Sequence, residues 1–367
     1  MILKSLKFEN FRNLAPTTIE LSENISLFTG ENAQGKTNVL ESVFYLSTLR
    51  PIRPGHDREL IRFGAESALI EAVGTANGRE HTIRIVLSAN GRRRISVNGV
   101  AVKKISDYSG SVKSVLFCPE DLQIVKDAPS LRRRTVDLAL CQLRERYRTA
   151  LSEYNSLLKQ KNTVLREKDH SLYGMLSVYG AGLANAGAVV VSLRKKYCDA
   201  LSAQARTVAE ELSSGRDSLS IEYRPPSGVD PDAQSTDIAA ALAEGISSHL
   251  SREKEAGTTL YGPHRDDLDI LINGRSARTY ASQGQARTAV LSMKLAEREI
   301  FLKNTGEYPI LLLDDVLSEL DASRREYVLN RINSGQVIIT SCTDDIVGEG
   351  RRFTLAKGEI NVSSSGQ

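Results

Sequence analysis

Residues 30–37 form the clearest chemical motif in the sequence. Their letters, GENAQGKT, match the pattern G-x-x-x-x-G-K-[ST]. An apolar run over 25–29 precedes the motif, and a helix predicted over 36–49 follows it. Glycines in such a loop allow successive backbone N–H groups to point at phosphate oxygens, and the helix N-terminus adds partial positive charge. The motif therefore predicts an ATP site in which Lys36 contacts the β- and γ-phosphates.

The pair Asp314 and Asp315, after an apolar strand predicted over 310–313, is the second signal. A phosphate site at the end of a strand needs a carboxylate on the neighbouring strand to hold Mg²⁺. We assign Asp314 and Thr37 to Mg²⁺, and we expect Asp315 to orient or deprotonate the attacking water. Lys36, Asp314 and Asp315 are thus the predicted catalytic residues. Considered alone, two such aspartates also occur in surface turns after buried strands.

The segment 282–287, with the letters SQGQAR, is the third signal and begins a helix predicted over 284–304. A serine hydroxyl and glycine N–H groups at the start of a helix can bind an anion. Because serine is common at this position in helices, the weight of the signal comes from its order in the chain. It precedes the strand of Asp314 by one helix, as the signature motif does in ABC-type ATPases.

In this order, the motifs resemble the ABC-type ATPase heads of the SMC and RecF group. Residues 10–13 (NFRN) resemble that group's N-terminal motif, whose arginine approaches nucleotide phosphate, and 318–321 (SELD) resemble its D-loop. Other stretches, covering almost the whole chain, are similar to the RecF family of bacterial recombination mediators: 30–38, 118–126, 132–134, 261–266, 281–287 and 311–325. The resemblance implies that the nucleotide contacts are Arg12, Asn13, Gly30, Glu31, Asn32, Ala33, Gln34, Gly35, Lys36, Thr37, Asn38, Gln123, Ser282, Gly284, Gln285 and Asp321.

The sequence departs from the ABC-type pattern at several positions. Asp315 stands where most of these ATPases carry glutamate, and its shorter side chain predicts slow turnover. Thr340, Ser341 and Thr343 occupy the region of the switch histidine of transporters. The resemblance implies that Gln123 is the glutamine that links the nucleotide to the helical lobe.

The elements that must position these residues are of two kinds. Strands dominate the first 130 residues, with a tight hairpin turn predicted at Asn98-Gly99. Helices are predicted over 130–169, 172–212, 236–253 and 322–331, and further strands over 219–223, 258–261, 268–272 and 336–340. We predict an α/β fold: an ABC-type P-loop ATPase head, with a mixed β-sheet lobe and a signature-motif lobe, carrying an inserted α-helical domain. The predicted segments are 1–130, 131–253 and 254–367.

Composition sets limits on partners and location. The chain has 367 residues, a net charge of +3 and four cysteines without a C-x-x-C pair. The charge neither requires nor excludes DNA, whereas the cysteine spacing disfavours zinc and fits a reduced compartment. The arginine runs 92–94 and 132–134 are more often solvated faces than DNA contacts, and His264 is expected to be structural. Without a signal peptide or a membrane-spanning segment, we expect a cytoplasmic protein with no membrane partner.

Three classes of function compete at this point. The first is an ATP-gated DNA-binding mediator, which the resemblance favours. It implies ATP and Mg²⁺ as cofactors, an ATP-induced head-to-tail homodimer, gapped or single-strand/double-strand junction DNA as ligand, and other recombination mediators as partners. It also implies recombinase loading, weak DNA-stimulated ATPase activity and a part in the SOS response. The second class is a transporter ATPase subunit, and the third is an SMC-like structural protein or an ATPase–nuclease fusion. The segment between Lys36 and Asp314 is longer than a transporter subunit needs, which disfavours the second class. The helical insertion is much shorter than the arms of SMC proteins, which disfavours an SMC-like protein.

Overall fold

The computed structural model describes residues 2–53, 55–76, 78–103, 108, 112–167, 170–343 and 350–363. Within them the strands are β1 (Ile2–Glu9), β2 (Thr17–Glu20), β3 (Ile25–Thr29), β4 (Ser67–Ala76), β5 (Arg79–Ser88), β6 (Arg93–Val97), β7 (Val100–Ala101), β8 (Ser114–Phe117), β9 (Leu219–Arg224), β10 (Asp267–Ile272), β11 (Arg275–Ser276), β12 (Ile310–Asp314), β13 (Val337–Ser341), β14 (Gly350–Ala356) and β15 (Glu359–Val362). The α-helices are α1 (Lys36–Thr48), α2 (Gln123–Lys126), α3 (Pro129–Leu143), α4 (Glu145–Glu167), α5 (Met175–Leu212), α6 (Ser235–Ala256), α7 (Ala277–Tyr280), α8 (Gln283–Thr305) and α9 (Ala322–Arg331).

The chain folds into two compact units. The first unit joins Met1–Asp121 to Lys294–Gln367, and the second is the intervening Leu122–Met293. The first unit is thus split in sequence by a long insertion. The segments predicted above, with boundaries at 130 and 253, divide the chain differently and stay a prediction.

The sheet that carries the nucleotide motif lies in the first unit. Over the described residues its strand order is β15-β14-β3-β13-β12-β8, and all neighbours are parallel except the pair β14 and β15. Every residue of β12 and β13 is buried, as an uninterrupted apolar strand predicts for a sheet covered on both faces. Helix α1 packs against β8, β12 and β13. Because parallel strands end at the same edge, β3 and β12 deliver the two predicted motifs to one side of the sheet.

The second sheet of the first unit is antiparallel, with the order β2-β1-β4-β5-β6-β7 in the part of the chain that the structure describes. The predicted hairpin turn at Asn98-Gly99 is confirmed, since it joins β6 to β7 with φ of 51° and 79°. The buried side chain of Gln336 fastens β1 beside the parallel sheet. Its Oε1 accepts from Leu3 N at 2.7 Å, and its Nε2 donates to Leu3 O at 2.7 Å.

The second unit is mostly helical, with β9, β10 and β11 forming a small antiparallel sheet. Its longest element is α5, 38 residues long and thus about 57 Å. By length and composition α5 could cross a membrane, but half of its most apolar window is buried within the protein. It packs against α4, α6 and β9, as the core helix of a unit does.

The predicted helix over 130–169 is broken in two at Arg144, whose φ of −136° and ψ of 109° are extended. The break has a tertiary cause. Asp137 in α3 and Tyr147 in α4 would lie about 15 Å apart along one continuous helix. After the turn, the Tyr147 hydroxyl donates to Asp137 Oδ1 at 2.5 Å, and Arg194 of α5 also bonds both residues.

The strand predicted over 258–261 is wrong. These residues form a loop whose backbone donors are satisfied by side chains rather than by a neighbouring strand. Thr259 N donates to Asn162 Oδ1 at 2.7 Å, and Leu260 N donates to Glu253 Oε1 at 2.8 Å. A run of threonine, leucine and tyrosine bounded by glycines favours a strand, although nothing local indicates these distant acceptors.

Candidate nucleotide-binding site

The loop of residues 30–35 leaves β3 and enters α1 in a shape that its glycines permit. Gly30 and Gly35 have φ of 154° and 110°, which side chains rarely allow. A Cβ at Gly30 would meet Leu355 O at 2.4 Å, and one at Gly35 would meet Asn13 Oδ1 at 2.6 Å. Ala33 adds a third positive φ of 64°. The loop therefore curls as the motif predicts for a backbone that wraps phosphate.

Lys36, the first residue of α1, is buried and folds back over this loop. Its Nζ donates to Gly30 O at 2.5 Å and to Glu31 O at 3.1 Å, and it lies 3.3 Å from Cys342 Sγ. These partners are carbonyls and a thiol rather than a carboxylate. The ammonium is thus held within the curled loop with its charge available to an anionic ligand.

Thr37 and Asp314 are in direct contact. Thr37 Oγ1 lies 3.0 Å from Asp314 Oδ1 and 2.9 Å from Oδ2. The expectation of neighbouring strands needs correction, because β13 lies between β3 and β12. Thr340 on that middle strand donates to Asp314 Oδ1 at 2.7 Å. Burial raises the pKa of the Asp314 carboxyl, and the hydrogen bonds from Thr340 and Thr37 act in the opposite direction.

The Thr37 hydroxyl and the Asp314 carboxylate fit a magnesium ion chemically. Both are hard oxygen donors, and Mg²⁺ usually takes only one or two protein ligands besides phosphate and water. Elsewhere, the described residues hold no group of three or more histidine, cysteine, aspartate or glutamate side chains placed to bind a metal. Thr37 and Asp314 are therefore the residues that would hold the ion.

Asp315 is half-buried and has a positive φ of 51°, so the chain turns sharply after β12. Its N–H donates to Thr340 O at 3.1 Å, which fixes the turn. Its carboxylate accepts from Ser318 Oγ at 3.1 Å, and Oδ2 lies 3.3 Å from Cys342 Sγ. Since Cys342 also contacts Lys36, Asp315 lies close to the loop lysine.

Arg12 and Asn13 lie beside the loop but make different contacts. Arg12 forms a two-pronged ion pair with the buried Glu41 of α1, at 2.9 Å and 3.2 Å. Asn13 Oδ1 accepts from Asn38 Nδ2 at 2.7 Å. A predicted nucleotide contact by Arg12 thus starts from a guanidinium that Glu41 already orients.

The remaining loop residues are placed as follows. Gln34 Oε1 accepts from Lys357 N, and Asn32 Oδ1 lies 3.1 Å from Cys342 Sγ. The Glu31 side chain is exposed. Together with Lys36 and Thr37, these residues surround one small region at the end of β3.

The signature segment lies in the second unit and begins α8 with a capping box. Gln285 N donates to Ser282 Oγ at 3.2 Å, and Ser282 N donates to Gln285 Oε1 at 3.2 Å. Gln285 Nε2 also donates to Asp217 Oδ1 at 2.9 Å. Ser282 is exposed, and Gly284 is partly exposed. The segment is a fixed helix start, and its role toward nucleotide stays a prediction.

Gln123 and Asp321 are both at helix starts. Gln123 begins α2 in the second unit, and its side chain is exposed. Asp321 caps α9: its Oδ1 accepts from Arg324 N at 2.9 Å and from Ser323 Oγ at 2.8 Å. These bonds lower the pKa of Asp321. Their predicted nucleotide contacts remain predictions.

The residues outside the site follow the expected structural roles in several cases. Arg132 is buried and forms a two-pronged ion pair with Asp267 at 2.7 Å and 2.8 Å, so one arginine of the run 132–134 is structural. His264 Nδ1 lies 2.7 Å from the Tyr154 hydroxyl, and burial lowers its pKa to about 4.

Sequence reasoning missed Cys342 and Glu41 as neighbours of the site. Cys342 lies just after β13 and contacts Lys36 and Asp315. No motif marks either residue, because a single thiol or glutamate carries no spacing signal. Strand order alone, had it been known, would have pointed to the end of β13.

Comparison with known proteins identifies the family of the chain. The family model described as "RecF/RecN/SMC N terminal domain" matches residues 2–361. The DNA replication and repair protein RecF of Clostridium novyi (strain NT) is 40% identical over 369 residues, covering 98% of this chain and 100% of that protein. The protein of the same name from Clostridium botulinum (strain Eklund 17B / Type B) is 37% identical over 366 residues, covering 98% and 99%.

Solved structures give the same result for the fold. A structure of the recombination mediator protein RecF with ATP, in the RecFOR pathway, is 34% identical with a TM-score of 0.92, covering 99% of this chain and 98% of that one. An SMC head bound to the C-winged helix domain of ScpA is 14% identical with a TM-score of 0.56, covering 99% and 97%, and shares the fold only. The fold is therefore that of the ABC-type ATPase heads, and the chain belongs to the RecF family of the RecF/RecN/SMC group.

Proposed function

We propose that this chain is an ATP-controlled DNA-binding protein of DNA replication and recombinational repair. The observation that carries the proposal is the contact between Thr37 and Asp314 beside the buried Lys36. A hydroxyl, a carboxylate and an ammonium at the end of parallel strands are the groups that a magnesium nucleotide requires. Relatives named for DNA replication and repair, and a RecF structure named with ATP, support the assignment.

In this proposal ATP occupies the curled loop of residues 30–37. The backbone N–H groups and Lys36 bind the phosphates, and Asn13 and Arg12 border the loop from the side of the first strand. Thr37 and Asp314 hold Mg²⁺, which when bound neutralises phosphate charge. Phosphate that binds Lys36 must replace the lysine's present bonds to Gly30 O and Glu31 O.

Hydrolysis is slow in this proposal, and Asp315 assists it. A carboxylate near Lys36 can orient or deprotonate a water molecule. Aspartate is one methylene shorter than the glutamate usual at this position in ABC-type ATPases, so its reach toward water is smaller. ATP thus acts chiefly as a timer, with a weak ATPase activity that DNA stimulates.

The second half of the site comes from another copy of the chain. Ser282, Gly284 and Gln285 cap the ATP of the partner protomer, because the capping box leaves an exposed serine at the start of α8. Two nucleotides then join a head-to-tail dimer, and loss of the γ-phosphate allows it to open. Gln123 and Asp321 respond to the nucleotide in the same cycle.

The DNA that fits this role is gapped or contains a single-strand/double-strand junction. The dimer assists recombinase loading together with other recombination mediators, in the cytoplasm and during the SOS response. The solved relative named within the RecFOR pathway supports such partners.

The test is binding of a fluorescent gapped duplex, followed by anisotropy, with and without ATP and Mg²⁺. We expect ATP to increase the affinity at least tenfold for the wild-type chain and not for Lys36→Met, which should also lose ATP binding. Lys303→Met, which removes an exposed cation in α8 outside the loop, is the control for general loss of positive charge and should keep ATP binding. Tight ATP binding by Lys36→Met, or DNA binding indifferent to ATP, would contradict the proposal.

A further inference from the structure

Phe63 is a fully exposed aromatic side chain, with a relative exposure of 104%. A phenylalanine in this position leaves a large apolar area in water, and covering that area by a partner would be favourable. The other exposed large hydrophobic residues of the described chain are less exposed, at 72% or below. Phe63 is therefore the large hydrophobic side chain of the described surface that is most available to a binding partner.

The turn that carries Phe63 is anchored on both sides. Arg62 N donates to Asn10 O at 2.8 Å, and Ala65 N donates to Arg62 O at 3.0 Å. Ile61, two residues before Phe63, pairs with Phe11 in an antiparallel bridge. The backbone that carries the ring is thus a fixed turn. This backbone loses little conformational freedom when the ring contacts a partner.

Three chain segments that carry exposed arginines meet in the first unit, and one of them leads to Phe63. The guanidinium of Arg93 donates to Leu49 O at 2.8 Å and lies 3.4 Å from Asp57 Oδ2, so three chain segments meet there. Four exposed arginines are the chain neighbours of Leu49, Asp57 and Arg93, and the described part of the chain gives none of their guanidinium groups an ion pair: Arg50, Arg58, Arg92 and Arg94. Arg58 is five residues from Phe63 and thus at most about 18 Å away.

We propose that Phe63 stacks on an unpaired or terminal base of DNA while Arg58 and Arg92 contact the neighbouring phosphates. The proposal rests on the DNA-binding function above and assigns the surface that performs it. An aromatic ring accepts the face of any base, and unpaired arginines attract an anionic strand. This charge favours DNA over a second copy of the chain, whose net charge is also positive.

The turn is also bonded to the segment that borders the nucleotide loop. Arg62 Nη2 donates to Asn13 O at 3.2 Å and to Leu14 O. Asn13 in turn bonds Asn38 in the first turn of α1. A nucleotide that moves Asn13 would therefore move the anchor of Phe63. Through this chain of contacts, base stacking would depend on ATP.

The test places 2-aminopurine at the unpaired base next to the junction of a gapped duplex. With ATP, the wild-type chain should quench its fluorescence, as a stacked ring does. Phe63→Ala should lose the quenching and bind the gapped duplex about tenfold more weakly, whereas Phe63→Trp should restore both. Val178→Ala removes another exposed hydrophobic side chain, 70% exposed, and should behave as wild type. ATP binding, measured separately, should be equal in all four proteins.

Salt dependence tests the arginines independently. Each of Arg58→Gln and Arg92→Gln should reduce the slope of log affinity against log salt by about 0.7 to 0.9, the value for one phosphate contact. Unchanged slopes, or wild-type quenching and affinity in Phe63→Ala, would overturn the proposal. Loss of the ATP-induced dimer by Phe63→Ala with retained DNA affinity would assign the surface to a second copy instead. Failure of the wild-type chain to bind DNA at all would contradict the proposed function rather than this surface.

Discussion

Thr37 Oγ1 lies 2.9 and 3.0 Å from the two carboxylate oxygens of Asp314, although 277 residues separate them in the chain. The parallel strands β3 and β12 bring them together, with Thr340 of β13 between them at 2.7 Å from the same carboxylate. This small hydroxyl–carboxylate group is the part of the site that connects the beginning of the chain to its end. An insertion of helices between the two halves leaves this connection intact.

Removal of the Asp315 charge should separate nucleotide binding from hydrolysis. Asp315→Asn keeps the size of the side chain but cannot take a proton from water, so we expect unchanged ATP affinity and a turnover at least about a hundredfold lower. Ser318→Ala, which removes the serine's hydrogen bonds to the Asp315 carboxylate and carbonyl but leaves the carboxylate in place, is the matched control and should lower turnover much less. Phosphate release and equilibrium ATP binding, measured side by side, check both. Wild-type turnover in Asp315→Asn would exclude this residue from catalysis.

The buried ion pair of the second unit gives a prediction for stability. Lys161 Nζ lies 2.6 Å from Glu253 Oε2, and both side chains are 0% exposed. Lys161→Met leaves the Glu253 carboxylate buried without a cationic partner, so the free energy of unfolding should fall by about 3–5 kcal/mol. Adding Glu253→Gln should recover part of the loss, because the amide oxygen can still accept from Leu260 N. Urea unfolding followed by circular dichroism measures each variant.

The control for this pair is Lys195→Met, which breaks ion pairs with the exposed Asp199 and Asp232. Its cost should stay below about 1 kcal/mol, since exposed ion pairs contribute little. If Lys161→Met cost no more than Lys195→Met, the buried pair would not contribute to stability as argued.

His264 predicts an acid-sensitive second unit. A neutral ring satisfies both neighbours, because Nδ1 accepts from the Tyr154 hydroxyl and Nε2–H donates to Thr259 O. Burial lowers its pKa to about 4, whereas the unfolded chain takes up the proton near pH 6.5. Stability is therefore fully present above about pH 6.5 and falls toward pH 4, by up to about 1.4 kcal/mol per pH unit from this group.

His264→Asn keeps an acceptor for Tyr154 but has no proton to gain. Urea midpoints measured from pH 7 to pH 4 should therefore fall less steeply in this variant than in wild type, even though its stability at pH 7 is lower. Parallel profiles for the two proteins would show that His264 does not titrate in this way.

Local signals predicted the curled loop and the strand before Asp314, whereas they did not predict the helix break at Arg144. Two short segments, the loop of Gly30 and Gly35 and the strand before Asp314, have a geometry that is set by their own residues. Helix breaks and contacts across the chain depend on distant partners. No glycine or proline marks the break at Arg144. The turn there is held by the contact between Asp137 and Tyr147 on the two helices that it joins.

The same limit applies within the site. In the sequence, Thr340 is marked only by its place in the region of the transporter switch histidine. In the structure it donates a hydrogen bond to Asp314, and this bond depends on β13 lying between β3 and β12. Strand order is a property of the whole sheet, so no local pattern contains it. Cys342 beside Lys36 follows from the same order.

In the proposed cycle ATP joins two copies of the chain through Ser282, and molar mass by light scattering shows directly whether it does. With ATP, Mg²⁺ and a gapped duplex, Asp315→Asn should have the mass of a dimer with DNA, and without ATP the mass of one 40.3 kDa chain. Adding Ser282→Arg, which fills the helix start with a bulky side chain, should keep ATP binding and leave the mass of a monomer. A dimer that forms without ATP, or one that survives Ser282→Arg, would contradict the shared site.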